Sequence, residues 1–486
     1  MRNTVKLIGR EKEISLLNDA LRSEEAEMIA VIGRRRVGKT FLIRQTYRKE
    51  LVFEFTGLQN GPRAEQLQAF AGRLNTYLKT PVKIQPPENW LAAFQLLIEY
   101  LETKISEEKI VVFLDELPWM ATHRSGFMRA FEYFWNSWAS QQNIVVVVCG
   151  SAASWMIKRV VRNRGGLYNR ITRRIFLQPF TLYECEQYLN SRQVRMDRYQ
   201  IIQIYMAMGG IPHYLKEVER GKNAVQNIDR ICFASEGLLY DEFSALYAAL
   251  FEGYERHVLT VRALAGVRQG LSRTELIRAT GLSDGGGFTR MLEELLRSGF
   301  IGVYPVFGKT RREQRYRLID EYSLFYLKFI EPENRKGEGT WQRLSQTQTW
   351  ISWSGYAFEG ICLKHIYSIR RTLSIGGVYS EASTFFHRGN EQIPGFQIDL
   401  LLDRNDHTIN IFEIKFYREN PIIDKKLAEQ LRRKVALFRA ATSTKKQLFL
   451  TLLTTFPVIE NSYSGSILDQ SLDMNALFQP DEHTIL

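Results

Sequence analysis

The 486-residue chain is poor in cysteine and histidine, with four of the first and seven of the second. Cys149, Cys185, Cys232 and Cys362 stand far apart in no paired spacing. That excludes a zinc knuckle and argues against a disulfide framework. The histidines are equally scattered, so no His/Cys metal site is visible. No apolar run approaches the ~20 residues that span a bilayer, and the N-terminus shows no apolar signal core. A cytoplasmic location with no membrane partner is expected. Negative charge is the scarcer sign: 65 Lys and Arg against 53 Asp and Glu leave a formal +12. Such a balance suits a polyanion, either nucleic acid or an acidic surface. A chain of this length should divide into roughly two to four domains.

What the sequence does contain is a complete G-x-x-x-x-G-K-[ST] loop, Gly33-Arg34-Arg35-Arg36-Val37-Gly38-Lys39-Thr40. The apolar run Met28–Ile32 precedes it and the helix-like Phe41–Arg44 follows, which is the strand, loop and helix order that phosphate binding needs. Glycines at both ends let successive N–H groups turn inward towards phosphate oxygens, and the helix dipole adds to the anion site. Lys39 is expected on the β- and γ-phosphates and the Thr40 hydroxyl on Mg²⁺. Further on, the apolar strand Ile110–Leu114 ends in Asp115-Glu116. Asp115 is the expected Mg²⁺ carboxylate and Glu116 the residue that polarises an attacking water. A third buried strand, Asn143–Gly150, delivers Ser151 at the edge where open α/β sheets bind ligands. Ser151 there either senses the γ-phosphate or caps the next helix. ATP and Mg²⁺ are the cofactors this pattern implies.

Strands alternating with helices predict a three-layer α/β sandwich over 1–178. Arg10 is expected beside its nucleotide pocket. From 179 to 254 the β signal stops, predicting a helical lid broken at Met208-Gly209-Gly210-Ile211-Pro212. The basic stretch Asn169–Arg174 precedes it, and an arginine there acts as a γ-phosphate finger or lies on a solvated face. Residues 255–330 read helix, helix, turn, helix and basic hairpin, the order of a winged helix. Its third helix, Phe288–Ser298, could enter a major groove, with Lys309, Arg311, Arg312, Arg315 and Arg317 on phosphates. The other reading is that the wing clamps the ATPase domain intramolecularly. Residues 331–348 are polar and read as a linker.

Residues 349–486 read as a second α/β domain. Phe396–Leu402 and Ile409–Lys415 are expected strands, and alternation places Glu413 and Lys415 on one face. Asp399 can lie beside Glu413, so that two carboxylates hold Mg²⁺ while Lys415 orients or deprotonates a water. A charged edge-strand face would look the same. The set resembles the PD-(D/E)xK restriction-endonuclease-like core, with Glu359 in the place of its helical acidic residue. Such domains also persist as binding modules.

On GRRRVGKT, VVFLDELPW, VVVVCGSAASW, GGLYNRITRRIFLQPFTLYE, MGGIPHYL and FQIDLLLDRNDHTINIFEIKFY, nearly the whole chain resembles the archaeal-type P-loop ATPases of the STAND/AAA-like group. More narrowly, it is similar to members with a winged helix and a nuclease-like C-terminus. The resemblance implies a nucleotide-controlled switch, with Pro212 of the GGIPHYL segment near the base and Arg170 or Arg173 as sensor arginine. The expectation is an ATPase that controls a DNA-directed, Mg²⁺-dependent nuclease-like domain. The alternative is an ATP-dependent regulator of DNA or partner binding that cuts nothing, or an ATPase acting on protein. DNA is the expected partner, with self-association or a protein partner left open.

Overall fold

The computed structural model describes residues 7–79, 81, 83–122, 124–161, 166–167, 169–309, 314–334 and 336–480. The chain forms two compact units, Met1–Gln178 with Leu250–Glu252, and Pro179–Ala249 with Gly253–Leu486.

The first unit is built on five parallel strands: β1 (Glu27–Ile32), β2 (Leu51–Thr56), β3 (Ile110–Asp115), β4 (Ile144–Gly150) and β5 (Arg173–Phe176). Their spatial order is β2-β3-β4-β1-β5. Apolar side chains fill β1 after Glu27, β3 up to Asp115 and most of β4, because both faces of a parallel sheet are covered. Every residue of these three strands is accordingly buried. On one face, helices Arg63–Leu78, Trp90–Glu102 and Phe127–Ser137 bring Phe70, Trp90, Phe94, Phe127 and Phe131 into one core. The Trp90 and Phe127 rings meet edge-on at 4.8 Å. Burying aromatics of this size stabilises by about 2–3 kcal/mol each. Asn89 starts the Trp90 helix by accepting the Ala92 N–H.

The second unit opens with short helices, from Leu182–Ser191 to Glu242–Ala248. Three helices then follow, Glu255–Ala265, Arg273–Thr280 and Gly286–Arg297. An antiparallel pair, β6 (Ile301–Tyr304) and β7 (Arg315–Leu318), completes this module. Ser272 and Glu275 form the capping box their spacing predicts. The stretch expected as a linker is folded: helix Thr340–Leu344 lies within 331–348, and its Trp341 is buried in stacking contact with Phe233. One tryptophan, Trp341, and one leucine, Leu344, are the apolar signal in this polar segment. The C-terminal module is a five-stranded mixed sheet: β8 (Ser380–His387), β9 (Phe396–Arg404), β10 (Thr408–Lys415), β11 (Gln447–Thr454) and β12 (Gln470–Leu472). Its strands are arranged in sequence order from β8 to β12. Helix Lys425–Thr442 packs Leu431 and Phe438 against Ile398, Leu401, Ile409 and Ile411.

The hairpin between β6 and β7 is joined to this sheet. Val306 pairs with Thr384 of β8, the Phe307 N–H donates to the Thr384 carbonyl at 3.0 Å, and the Thr384 N–H donates to Pro305 at 3.2 Å. The Phe307 ring packs against Phe385 and Phe438. This contact to the C-terminal sheet is neither of the two expected for the wing, DNA or the ATPase domain.

Candidate functional site

In the first unit the parallel sheet brings its functional residues to one edge. β1 ends at Ile32, the loop passes through 33–38, and helix Lys39–Thr46 begins with Lys39. Gly38 takes φ 94°, turning the chain into that helix without a capping side chain. The first N–H groups are thereby left to an anion. Lys39 is buried and donates to the Gly33 and Arg34 carbonyls at 2.8 and 3.1 Å. Arg34 and Val37 are buried, whereas Arg35 and Arg36 are half-buried. Arg10 reaches the loop through the Val37 carbonyl at 3.4 Å.

Asp115 closes β3, and one of its oxygens accepts the Thr40 hydroxyl at 2.7 Å. Hydroxyl and carboxylate oxygens side by side are hard donors that suit Mg²⁺. The other Asp115 oxygen accepts from the Glu116 N–H at 3.0 Å and the Cys149 thiol at 2.9 Å. Burial pushes that thiol well above its usual range, so it remains a donor. Glu116 is held at φ 49°, ψ 50°. A left-handed non-glycine residue stores on the order of 1 kcal/mol, a strain that clusters at working sites. Its carboxylate accepts both the Ser151 hydroxyl, at 2.5 Å, and the Ser151 N–H, at 3.0 Å. The Ser151 hydroxyl thus restrains Glu116, a contact other than the two expected for it.

Two expected nucleotide residues, Arg173 and Arg170, lie at the other end of the sheet. Arg173 opens β5 opposite Ile29 and pairs with Glu27 at 3.1 Å, near the start of β1 and hence at the sheet end away from the phosphate loop. Arg170, in the turn just before, is exposed at that same end. In a parallel sheet, residues that precede a strand cannot line the edge its C-terminus reaches. Pro212 belongs to the second unit, where it begins the one-turn helix Pro212–Leu215.

The second unit gathers the other expected residues. β9 and β10 pair antiparallel through Phe412 and Leu400, and one step further Asp399 accepts the Ile414 N–H at 3.1 Å. Asp399 and Glu413 are therefore neighbours. Burial and the Glu413 charge push Asp399 up to about 6, and burial with Asp399 pushes Glu359 up to about 8. Burial also opposes ionisation of Glu413, but Lys434 and Lys415 together hold it below its usual value. Lys415 lies 2.8 Å from one Glu413 oxygen, and Lys434, from helix Lys425–Thr442, takes the other.

Lys434 was invisible as a partner because it is far along the chain, on a helix face among many other cations. Arg268 and Arg317 also bring positive charge to Glu359. Arg317 is buried and lies over the Tyr304 and Tyr356 rings, and Arg268 stacks on Tyr356. Arg315 donates to the Gly270 carbonyl and pairs with Glu275 at 2.9 Å. Of the hairpin cations expected on phosphates, Arg315 and Arg317 thus serve internal contacts, while Arg311 and Arg312 lie outside the described residues.

Of the residues expected to hold a metal, Asp399 stands beside Glu413, and its charge also reaches Glu359. Both Glu413 oxygens face ammonium groups, and no three His, Cys, Asp or Glu side chains among the described residues gather closely enough to hold an ion. Lys415, Lys434, Arg268 and Arg317 bring positive charge to these carboxylates. No described helix is long and apolar enough to cross a membrane.

The chain is similar to several known proteins. An uncharacterized protein of Methanocaldococcus jannaschii, MJECL04, is 22% identical over 434 residues, covering 88% of this chain and 92% of the relative. Among solved structures, the Walker-type ATPase PABY2304 of Pyrococcus abyssi aligns at 17% identity with a TM-score of 0.48, over 66% of this chain and 96% of its own. The ORC2 protein of Aeropyrum pernix, in ADPNP–ADP complexes, aligns at 15% identity with a TM-score of 0.41, over 71% and 98%. Residues 7–218 match the family described as an ATPase domain predominantly from Archaea. This stretch is an ATPase domain of that archaeal type, carried on a longer chain.

Proposed function

We propose that this chain is an ATP-binding and ATP-hydrolysing switch that governs DNA or partner binding by a nuclease-like second unit which does not itself cut. The observation that carries the switch is the pairing of Thr40 with Asp115 and of Glu116 with Ser151 at one sheet edge. Bound Mg²⁺ would supply charge neutralisation for the phosphates, held by Thr40 and Asp115. Lys39 exchanges its loop carbonyls for phosphate oxygens, and Glu116 orients the attacking water once Ser151 releases it. The nucleotide state then reaches the rest of the chain through those exchanged contacts.

Support for a non-cutting second unit is the self-neutralised Glu413, whose two oxygens both face lysines. The formal +12 supports DNA as partner. Mg²⁺-dependent cleavage is the second reading, favoured by Asp399, Glu413 and Lys415 standing together as in a winged-helix protein with a PD-(D/E)xK core. Purified protein incubated with linear, circular and single-stranded DNA, with Mg²⁺ or Mn²⁺, with and without ATP, separates the two. We expect ATP hydrolysis and nucleotide-dependent DNA binding with intact DNA. Metal-dependent cleavage lost in Lys415→Ala would establish the second reading, and the absence of ATP hydrolysis would remove the switch.

A further inference from the structure

The first unit holds a second cavity, of about 750 Å³, beside the residues assigned to hydrolysis. Four arginines line it, Arg63, Arg124, Arg129 and Arg159, against one carboxylate, Glu132. They come from three separate elements: helix Arg63–Leu78, the loop and helix around 124–129, and the segment after β4. Arginines converging from separate elements form an anion site that no single charged helix face explains.

Three further features point to a ligand there. The whole first turn of helix Phe127–Ser137 lines the cavity, and its N-cap, Gly126, offers no side-chain acceptor. The Phe127 N–H donates to the Ser125 hydroxyl at 3.3 Å, and the helix still presents the positive end of its dipole. Trp155 and the exposed Leu91 add flat apolar surface to the same walls. The indole N–H of Trp90, another wall residue, is buried with no acceptor among the described residues. Cationic forks beside aromatic surface suit a phosphate joined to a planar base. The volume lies within the ~300–1,000 Å³ of ligand sites.

The walls are continuous with the hydrolysis residues. Pro118 follows Glu116 by two residues, and Trp155 follows Ser151 by four on helix Ala153–Met156. The two walls also press together: a Cβ added to Gly150 would lie 2.8 Å from Pro118 Cδ. A ligand that shifts either wall moves one partner of the Glu116–Ser151 contact.

We propose that this cavity binds one or two nucleotides of a phosphate-bearing strand, or a free nucleotide of the same chemistry, and biases ATP hydrolysis through the Glu116–Ser151 contact. The inference deepens the DNA-responsive reading and rests on it. Its test is fluorescence anisotropy of a labelled thymidine 20-mer on the full chain across salt concentrations, with a non-hydrolysable ATP analogue filling the phosphate loop. Arg63→Ala, Arg124→Ala and Arg129→Ala combined, all at exposed positions, should weaken binding at least tenfold. The log–log salt slope should flatten by about 2, from ~0.7 per lost contact on single strands. Lysine at the same three positions should restore most of both, which loss of folding would not allow. Displacement of the strand by dTMP would identify a free nucleotide as sufficient, and failure to displace would identify the strand. In either case the strand should change the ATP turnover of the parent and not of the triple alanine variant. Unchanged affinity and slope in that variant would overturn the site while leaving the DNA reading intact. No oligonucleotide binding by the parent would overturn both.

Discussion

The two charged centres of this chain solve the same problem in opposite ways. At the phosphate loop, Lys39 is held by backbone carbonyls, Asp115 by a hydroxyl, a thiol and an amide, and Glu116 by a serine. All those hydrogen-bond partners are neutral, and the positive charge acting on Asp115 from Arg44 comes without a direct hydrogen bond. At the C-terminal centre Glu413 is cancelled by Lys415 and Lys434, and Glu359 lies within reach of Arg268 and Arg317. A centre poised with neutral partners gives them up to a charged ligand at low cost. One satisfied by opposite charges must first break ion pairs in a poorly solvated place, which is expensive. The contrast is why the first centre is assigned turnover and the second binding.

The largest expected effect tests the first half of that contrast. Glu116→Gln should retain ATP and lose turnover by roughly 10²–10⁴, the range of a positioned general base. Single-turnover phosphate release checks this, and normal turnover would remove Glu116 from its role. Lys39→Ala should weaken ATP by roughly a hundredfold, the scale of a lost charge-assisted contact, as read by equilibrium titration. Undiminished affinity would mean that the lysine's rest position on Gly33 and Arg34 is its only one.

The second half is tested at Lys434. Lys434→Ala leaves Glu413 with Lys415 alone, so the stability loss should be about 2 kcal/mol, below the ~3–5 of a fully orphaned buried charge. Calorimetric titration with Mn²⁺ should show at least tenfold tighter binding than the parent, because one Glu413 oxygen is released. Tight Mn²⁺ binding by the parent itself would break the comparison.

The smallest effect concerns Glu359. Its carboxyl, pushed up to about 8 from 4.5 by burial and Asp399, keeps a proton that the unfolded chain has released. That contribution is complete below 4.5 and disappears as pH rises through 8. Glu359→Gln should therefore gain on the parent as pH rises across this window, and no further above it. Urea unfolding with chelator present, at several pH values, reads the difference. A gain independent of pH would show that the carboxyl does not titrate there.

The phosphate loop was legible because all its chemistry lies in eight consecutive residues, and β3 because a run apolar at every position leads into Asp115-Glu116. Asp399 beside Glu413 followed from period-two alternation and an antiparallel turn. What failed to show depends on direction and distance. Arg173 looks like a sensor arginine until the strand after it is given a direction. β8 was missed because Ser-Glu-Ala-Ser-Thr opens it without clean alternation. Lys434 and the Val306–Thr384 pairing are tertiary, and no local pattern encodes either partner.

That pairing settles the fate of an otherwise open boundary. β8 is the outermost strand of its sheet, and an uncovered edge offers unpaired amide groups to any passing chain. The Pro305–Phe307 segment occupies that edge at Thr384, where the register with β9 slips. Severing the C-terminal module from its hairpin would hand a ready template to a second copy and strip the Phe307 ring from Phe438. A fragment starting at 349 should self-associate through β8, whereas one starting at 253 keeps its edge sealed.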